Sequence, residues 1–216
     1  PLPDCADPVS NVINVTVFPD PSAAASPPTT NVCVGGSAPL TATITGGTSA
    51  LTFNWQTSPT GGAGTWSNIS GATNSIYNAP TTSVGTTSYR ILFVNGSSGC
   101  NNGLSNTITV TVAPDLSITT QPNNITECLG GNTALTVAVT GGSGAISYQW
   151  QSSSTNVPAA FTDIAGATTT SYIPSSAVVG TTYYRALVNA ANSGCDQVVT
   201  NVATVLITED IAITAH

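Results

Sequence analysis

Residues 87–100 read TSYRILFVNGSSGC, and residues 182–195 read TYYRALVNAANSGC. They are one motif written twice: Tyr-Arg, a run of apolar residues, then a turn closed by Gly-Cys. The two closing cysteines lie 95 residues apart, and a further step of 95 back from Cys100 reaches Cys5. Outward from the motif, SNVINVTVFPD at 10–20 aligns without a gap on SNTITVTVAPD at 105–115, and 210–214 aligns on 115–119. A fixed period of this kind marks modules joined end to end. About 100 residues is the size of a small β-sandwich, so the period divides the chain into two complete units. The expected plan is a last strand of a preceding unit at 1–18, a first unit at 20–113, a second at 115–208, and the start of another at 209–216.

Within a unit the apolar residues alternate with polar ones, the period of a strand and not of a helix. The opening, PDPSAAASPPTTN at 19–31, is too rich in Pro for a central strand and reads as an edge. In 38–45 (APLTATIT), Leu40, Ala42 and Ile44 share one face, and Gly46-Gly47 ends the run. In 50–57, Leu51, Phe53 and Trp55 do the same. Short strands follow around Trp66 and Tyr77, then the Tyr89 strand after Gly85, and a closing strand at 104–112. That gives an all-β unit of about seven strands. The second unit repeats it without insertions: Trp55 becomes Trp150, Trp66 becomes Phe161, Tyr77 becomes Tyr172 and Tyr89 becomes Tyr184.

Composition narrows the partners. The formal charge is −7, with Lys and Arg together numbering 2. Nucleic acid requires a cationic footprint, which this chain lacks, and anionic membranes are equally unsuited to it. No apolar run approaches the roughly 20 residues of a membrane span. Charged residues are only 5% of the chain, so Ser, Thr, Asn and Gly must keep it in solution. Disorder is excluded by the 40% hydrophobic content and its alternation.

The 5 cysteines follow the period. Cys33 and Cys128 are early in their units; Cys100 and Cys195 are late. The natural pairs are Cys33–Cys100 and Cys128–Cys195. Cys5 is then the late cysteine of a preceding unit, unpaired in this chain. No CxxC pair with a nearby His supplies a zinc set. Disulfides imply an oxidising, extracellular compartment.

A strand with a buried Trp, a later Gly-x-x-x-Tyr strand and the strand count resemble the immunoglobulin fold. The string YQWQSSS…FTDIAGATTTSYIP…VGTTYYRALV…NSGC is similar to the Ig-like repeats of giant secreted and surface proteins of Bacteroidota, gliding-motility adhesins among them. Antibody domains cross-link strands B and F beneath the Trp. Here the matching positions are Ala42 and Ile91 in one unit, Val137 and Ala186 in the other. Their sizes are exchanged, small with large and then large with small, as a close-packed core demands. Each pair is expected to touch beside its Trp, with Tyr89 and Tyr184 in the same cores. The cross-link would sit at the rim instead, closing about 68 residues for roughly 4 kcal/mol and fastening a sheet end against pulling.

Among candidate contact residues, Arg90 and Arg185 occupy equivalent places. They would either meet an anionic sugar or, as plainer outward strand residues, stack on an aromatic. Trp66 and Phe161 are either sugar platforms or covers for the core edge. Asp20, Asp115 and Asp210 recur at unit starts and are the Ca²⁺ candidates, but one carboxylate apiece falls short of six to eight ligands, and a turn-starting Asp explains them. Asn14, Asn68, Asn95 and Asn124 lie in Asn-x-Ser/Thr motifs that so Asn-rich a chain produces by chance. The only His is His216; no nucleophile–base set, phosphate loop, metal cluster or cofactor motif is present. The sequence therefore points to a non-enzymatic structural and adhesive segment at a cell surface. Its partners would be neighbouring repeats, with surface glycans or further copies as outside contacts. The alternatives are a filament subunit polymerising by strand addition, and a spacer or carbohydrate-binding module of a secreted enzyme.

Overall fold

A computed structural model of the chain describes residues 10–47, 51–95 and 102–210. The first unit contains β1 (Ser22–Ser26), β2 (Thr29–Cys33), β3 (Pro39–Thr45), β4 (Leu51–Ser58), β5 (Ser67–Asn68), β6 (Ile76–Asn78), β7 (Gly85–Asn95), β8 (Gly103–Leu104) and β9 (Ile108–Ala113). The second contains β10 (Ser117–Thr120), β11 (Ile125–Cys128), β12 (Leu135–Thr136), β13 (Ala138–Thr140), β14 (Ile146–Ser153), β15 (Thr162–Asp163), β16 (Ser171–Tyr172), β17 (Gly180–Ala190), β18 (Val198–Val199) and β19 (Ala203–Thr208). Among the described residues the one helical turn is Pro158–Ala160. The chain is all-β, a tandem pair of immunoglobulin-like sandwiches.

One sheet of the first unit runs β1-β3-β6, and the other β2-β9-β7-β4-β5 with β8 beside β7. The strand count of the first unit exceeds seven because two expected strands divide: the closing run at 104–112 falls into β8 and β9, and the Pro-rich opening into β1 and β2. The opening breaks at Pro27-Pro28 into two edge pieces on opposite sheets: β1 lies antiparallel to β3, while β2 lies parallel to β9. The second unit repeats the larger sheet as β11-β19-β17-β14-β15. Its smaller sheet is interrupted at Val137, between β12 and β13, where the Val137 amide donates to the Thr170 carbonyl at 2.9 Å. The Ala42 amide donates to Ser75 at the same place in the first unit, at 2.7 Å, within an unbroken strand.

Alternation puts one side of every strand inward, and the cores follow from it. In β9 the pattern Ile-Thr-Val-Thr-Val buries Ile108, Val110 and Val112. Trp55 and Trp150 are wholly buried, and each indole Nε1 donates at 2.9 Å to a main-chain carbonyl, of Asn74 and Thr169 respectively. A buried indole needs such a partner, since an unpaired buried donor costs about 1–3 kcal/mol. Trp55, Tyr77 and Tyr89 form a chain of tilted rings, with centroids 5.9 and 5.8 Å apart. Trp150, Tyr172 and Tyr184 repeat it at 6.1 and 5.7 Å. Ala42 and Ile91 are buried in the first core, and Val137 and Ala186 in the second. Cross-strand register sets Ile91 opposite Trp55, and Ala186 opposite Trp150.

Residues 10–18 pair with no strand among the described residues and are exposed throughout. Residues 1–9, 48–50, 96–101 and 211–216, with Cys5, Cys100 and His216 among them, lie outside the described residues.

Candidate functional site: the joint between the units

The cysteine pairing differs from the sequence expectation. Cys33 is bonded to Cys195, across 162 residues of sequence, with the Cα atoms 5.0 Å apart. Cys128 carries a free, exposed thiol. Both expected pairs, Cys33–Cys100 and Cys128–Cys195, are therefore corrected: the bond joins one unit to the next instead of closing either.

Strand direction supplies the reason. Cys33 ends β2 and lies opposite Ala113 at the end of β9. Its neighbour Val112 faces Gly85, the first residue of β7. From there β7 runs away for 11 residues, or about 36 Å at ~3.3 Å per residue. The five residues from Asn95 to Cys100 reach back at most about 18 Å, and a disulfide needs Cα atoms within roughly 7 Å. The second unit has the same geometry, with Cys128 opposite Thr208 and Ile207 facing Gly180 at the start of β17. The turn after β17 therefore points back at the first unit, where Cys33 waits.

Around the bond the two chains fit closely. The Cys33 amide donates to the Ser193 carbonyl at 2.9 Å, and the Ser37 amide to the Ser193 hydroxyl at 2.9 Å. The receiving turn, 33–36, is pinned from within its own unit. Gly36 N donates to Cys33 O at 3.0 Å, Gly35 N to Thr81 O at 3.0 Å, and Thr81 Oγ1 to Gly36 O at 2.7 Å. Gly36 and Gly194 pass so near each other that a Cβ on Gly36 would lie 2.3 Å from the Ser193 carbonyl oxygen. Gly194 also takes a φ of 79°, in the left-handed region that glycine enters freely. The Ser-Gly-Cys motif thus has a job for each residue: two hydrogen bonds, a tight turn with no side chain, and the covalent link. Its repetition was visible in the sequence, but the docking role was not.

The other candidate residues lie elsewhere. Arg90 sits on β7 with its guanidinium carbon 4.1 Å from the Trp66 ring centroid, and Arg185 sits on β17 at 4.3 Å from Phe161. Each Nε donates to a glutamine Oε1 at 2.7 Å, on Gln56 and Gln151. Those glutamines in turn donate to Asn68 and Asp163 at 2.9 and 2.8 Å. The result is a short polar ladder across β7-β4-β5 and again across β17-β14-β15. Burial pulls the Arg90 guanidinium below its usual pKa. Trp66 is half-buried under its arginine, and Phe161 is buried. Asp20 and Asp115 sit at the unit starts, where a Cβ on Gly46 would lie 2.7 Å from the Asp20 carbonyl oxygen and one on Gly141 2.2 Å from that of Asp115. Asp210 is exposed. Among the described residues no group of three or more His, Cys, Asp or Glu is placed to hold a metal, and no helix is long and apolar enough to cross a membrane.

Among solved structures the chain is similar to the Sidekick-1 immunoglobulin domains 1–4, with a TM-score of 0.50 at 10% identity, over 91% of this chain and 51% of that one. It therefore spans about half the length of that structure. The N-terminal eight Ig domains of a Down Syndrome Cell Adhesion Molecule isoform align at a TM-score of 0.47 and 14% identity, over 88% and 25%. The fibronectin(III)-like modules of Clostridium thermocellum CbhA align at 0.37 and 11%, over 90% and 100%. At 10% identity the likeness to the Sidekick-1 domains is one of fold. No curated protein matches the chain in sequence. One family model fits it twice, over residues 22–114 and 118–209, and the chain belongs to that family, the domain of unknown function DUF8696.

Proposed function

We propose that the chain is a structural and adhesive segment of a long extracellular cell-surface protein or filament, made of Ig-like repeats and carrying no catalysis. The observation behind this reading is the Cys33–Cys195 bond. A cross-link between units fixes how one module follows the next, which suits a load-bearing or spacing element better than a freely hinged pair. It also requires an oxidising compartment. In this reading residues 20–113 and 115–208 are the units, flanked by the last strand of one neighbour at 1–18 and the first of another at 209–216. The primary partners are neighbouring repeats, and the modules group with the Ig-like repeats of Bacteroidota surface adhesins. The test is antibody labelling of intact cells that produce the chain. Labelling that external protease removes is expected; a signal that appears only after permeabilisation overturns the assignment.

One observation favours a second reading, assembly by strand addition. The segment 10–18 alternates like a strand yet pairs with no strand among the described residues, with Val12 88%, Val15 81% and Val17 87% exposed. Such a strand is suited to an open sheet edge on another copy. Deleting residues 1–18 should then abolish concentration-dependent growth in light scattering; unchanged growth excludes this route.

A further inference from the structure

The joint has two halves, and the second unit repeats the receiving half, on which no turn is seated among the described residues. Its turn at 128–131 is built as the turn at 33–36 is. Gly131 N donates to Cys128 O at 3.0 Å, Gly130 N to Ser176 O at 3.1 Å, and Ser176 Oγ to Gly131 O at 2.5 Å. Each bond has its equivalent 95 residues earlier, around Cys33, where the Ser193-Gly194-Cys195 turn is seated. At Cys128 the thiol is free and exposed.

What lies over the 128–131 turn is informative. A Cβ on Gly36 would meet the Ser193 carbonyl at 2.3 Å; a Cβ on Gly131 would meet Glu127 Cδ at 2.3 Å. Ser193 Oγ accepts from the Ser37 amide, and Glu127 Oε2 accepts from the Thr133 amide at 3.1 Å, one residue further along. The Glu127 carboxylate thus stands where the incoming turn stands in the first unit. Its other oxygen, Oε1, is buried with no hydrogen-bond partner. A carboxylate prefers water to such a place, so the cover is easily displaced.

We propose that the 128–131 turn is a docking site for the Ser-Gly-Cys turn of a third unit set in line after the second, and that Cys128 bonds to the late cysteine of that unit. The rule is that an early cysteine pairs with the late cysteine of the following unit, so that every joint in an array is covalent. Glu127 swings out to water as the incoming turn takes its place. The bond forms by exchange with oxidised glutathione. The Cys128 thiolate attacks the glutathione disulfide and releases one glutathione; the incoming cysteine thiolate then attacks the Cys128 sulfur and releases the second. Two protons and two electrons leave the cysteine pair and end on two reduced glutathiones. The proposal rests on the repeat-array reading but not on location at a cell surface, and its test is silent on location.

The test extends the full chain after His216 with a second copy of residues 122–208, since 210–216 stands in register with 115–121. The copy carries Cys128→Ser, so that the chain keeps a single Cys128, and Asp196→Glu, so that the copied Cys195 peptide differs in mass from the native one. After oxidation in glutathione buffer, free thiols are alkylated and the disulfides mapped by mass spectrometry. The expected result is a monomer with Cys33 bonded to Cys195 and Cys128 bonded to the copied Cys195. Alkylation of Cys128 should fall from complete in the parent chain to undetectable. In the extended chain bearing Cys128→Ser in the second unit as well, the copied Cys195 should be alkylated while Cys33–Cys195 persists. A Cys128 that stays alkylated, or a copied Cys195 bonded within its own unit or to another molecule, overturns the proposal. So does a third unit that stays unfolded, because the same sequence folds in the second position.

Discussion

Cys33, at the far end of the first sandwich, is bonded to Cys195, in a turn at the near end of the second, 162 residues later in the chain. The bond therefore encloses most of both units in one covalent loop, and the consequences are mechanical before they are thermodynamic.

When the chain is pulled from its two ends, force passes through the disulfide and bypasses everything between. Of 216 residues, the 162-residue loop is shielded. The oxidised molecule should extend to about 190 Å and the reduced one to about 750 Å, at ~3.5 Å per residue. Single-molecule stretching with and without reductant reads this directly. The two unfolding steps of the separate sandwiches should appear only after reduction. Bonds closed within each unit would instead leave a different pair of loops and a longer oxidised extension.

The difference between those two pairings marks how far the sequence could be read. The period, the strand positions and the inward Trp, Tyr and aliphatic residues were legible because alternation and spacing are local. The partner of Cys33 was not, because one period offers it two late cysteines, Cys100 and Cys195, at equivalent positions. Strand direction decides between them. A cysteine before the β3 strand and one after β7 lie at opposite ends of a sandwich when β3 and β7 run the same way. That parity was available in the seven-strand reading, and spacing alone concealed it. The stacking partners of the arginines were open in the sequence for a different reason. Trp66 and Phe161 are 24 residues from Arg90 and Arg185, and the short β5 and β15 edges that bring them together have almost no strand pattern.

Arg90→Ala and Arg185→Ala should each lower the stability of their own unit by about 1 kcal/mol, the scale of an exposed cation–π contact plus one hydrogen bond. Urea denaturation is the measurement. The companion changes Gln56→Ala and Gln151→Ala should be non-additive with them, since each pair shares a bond of 2.7 Å. Additive losses would show that the ladder is not an energetic unit.

The exchanged core sizes make a second prediction. Ile91→Ala should cost about 2–5 kcal/mol by opening a cavity beside Trp55, and Ala42→Val about 1–3 kcal/mol by crowding. The double variant transplants the Val137 and Ala186 arrangement of the second unit. It should recover part of the loss, giving a coupling of about 1 kcal/mol or more in a double-mutant cycle. Strict additivity would mean that the two side chains do not share space, and that the swap between units is coincidence.

Gly36 and Gly131 hold equivalent positions, and the same substitution should separate the joint at Cys33 from its repeat at Cys128. In Gly36→Ala the new methyl meets the Ser193 carbonyl oxygen at 2.3 Å, a main-chain atom that cannot move without opening the turn. The expected cost to the closed joint is about 1–3 kcal/mol, the range for overpacking, read as a weaker Cys33–Cys195 bond in glutathione redox titration. In Gly131→Ala the methyl meets the end of the Glu127 side chain, which can rotate into water. That change should stay within about 0.5 kcal/mol for folding and leave the redox titration unaltered. Once a third unit is attached, Gly131→Ala should acquire the Gly36→Ala penalty at Cys128, because a carbonyl then replaces a movable carboxylate above the glycine. Equal effects of the two alanines in the two-unit chain would show that the seated turn does not constrain Gly36.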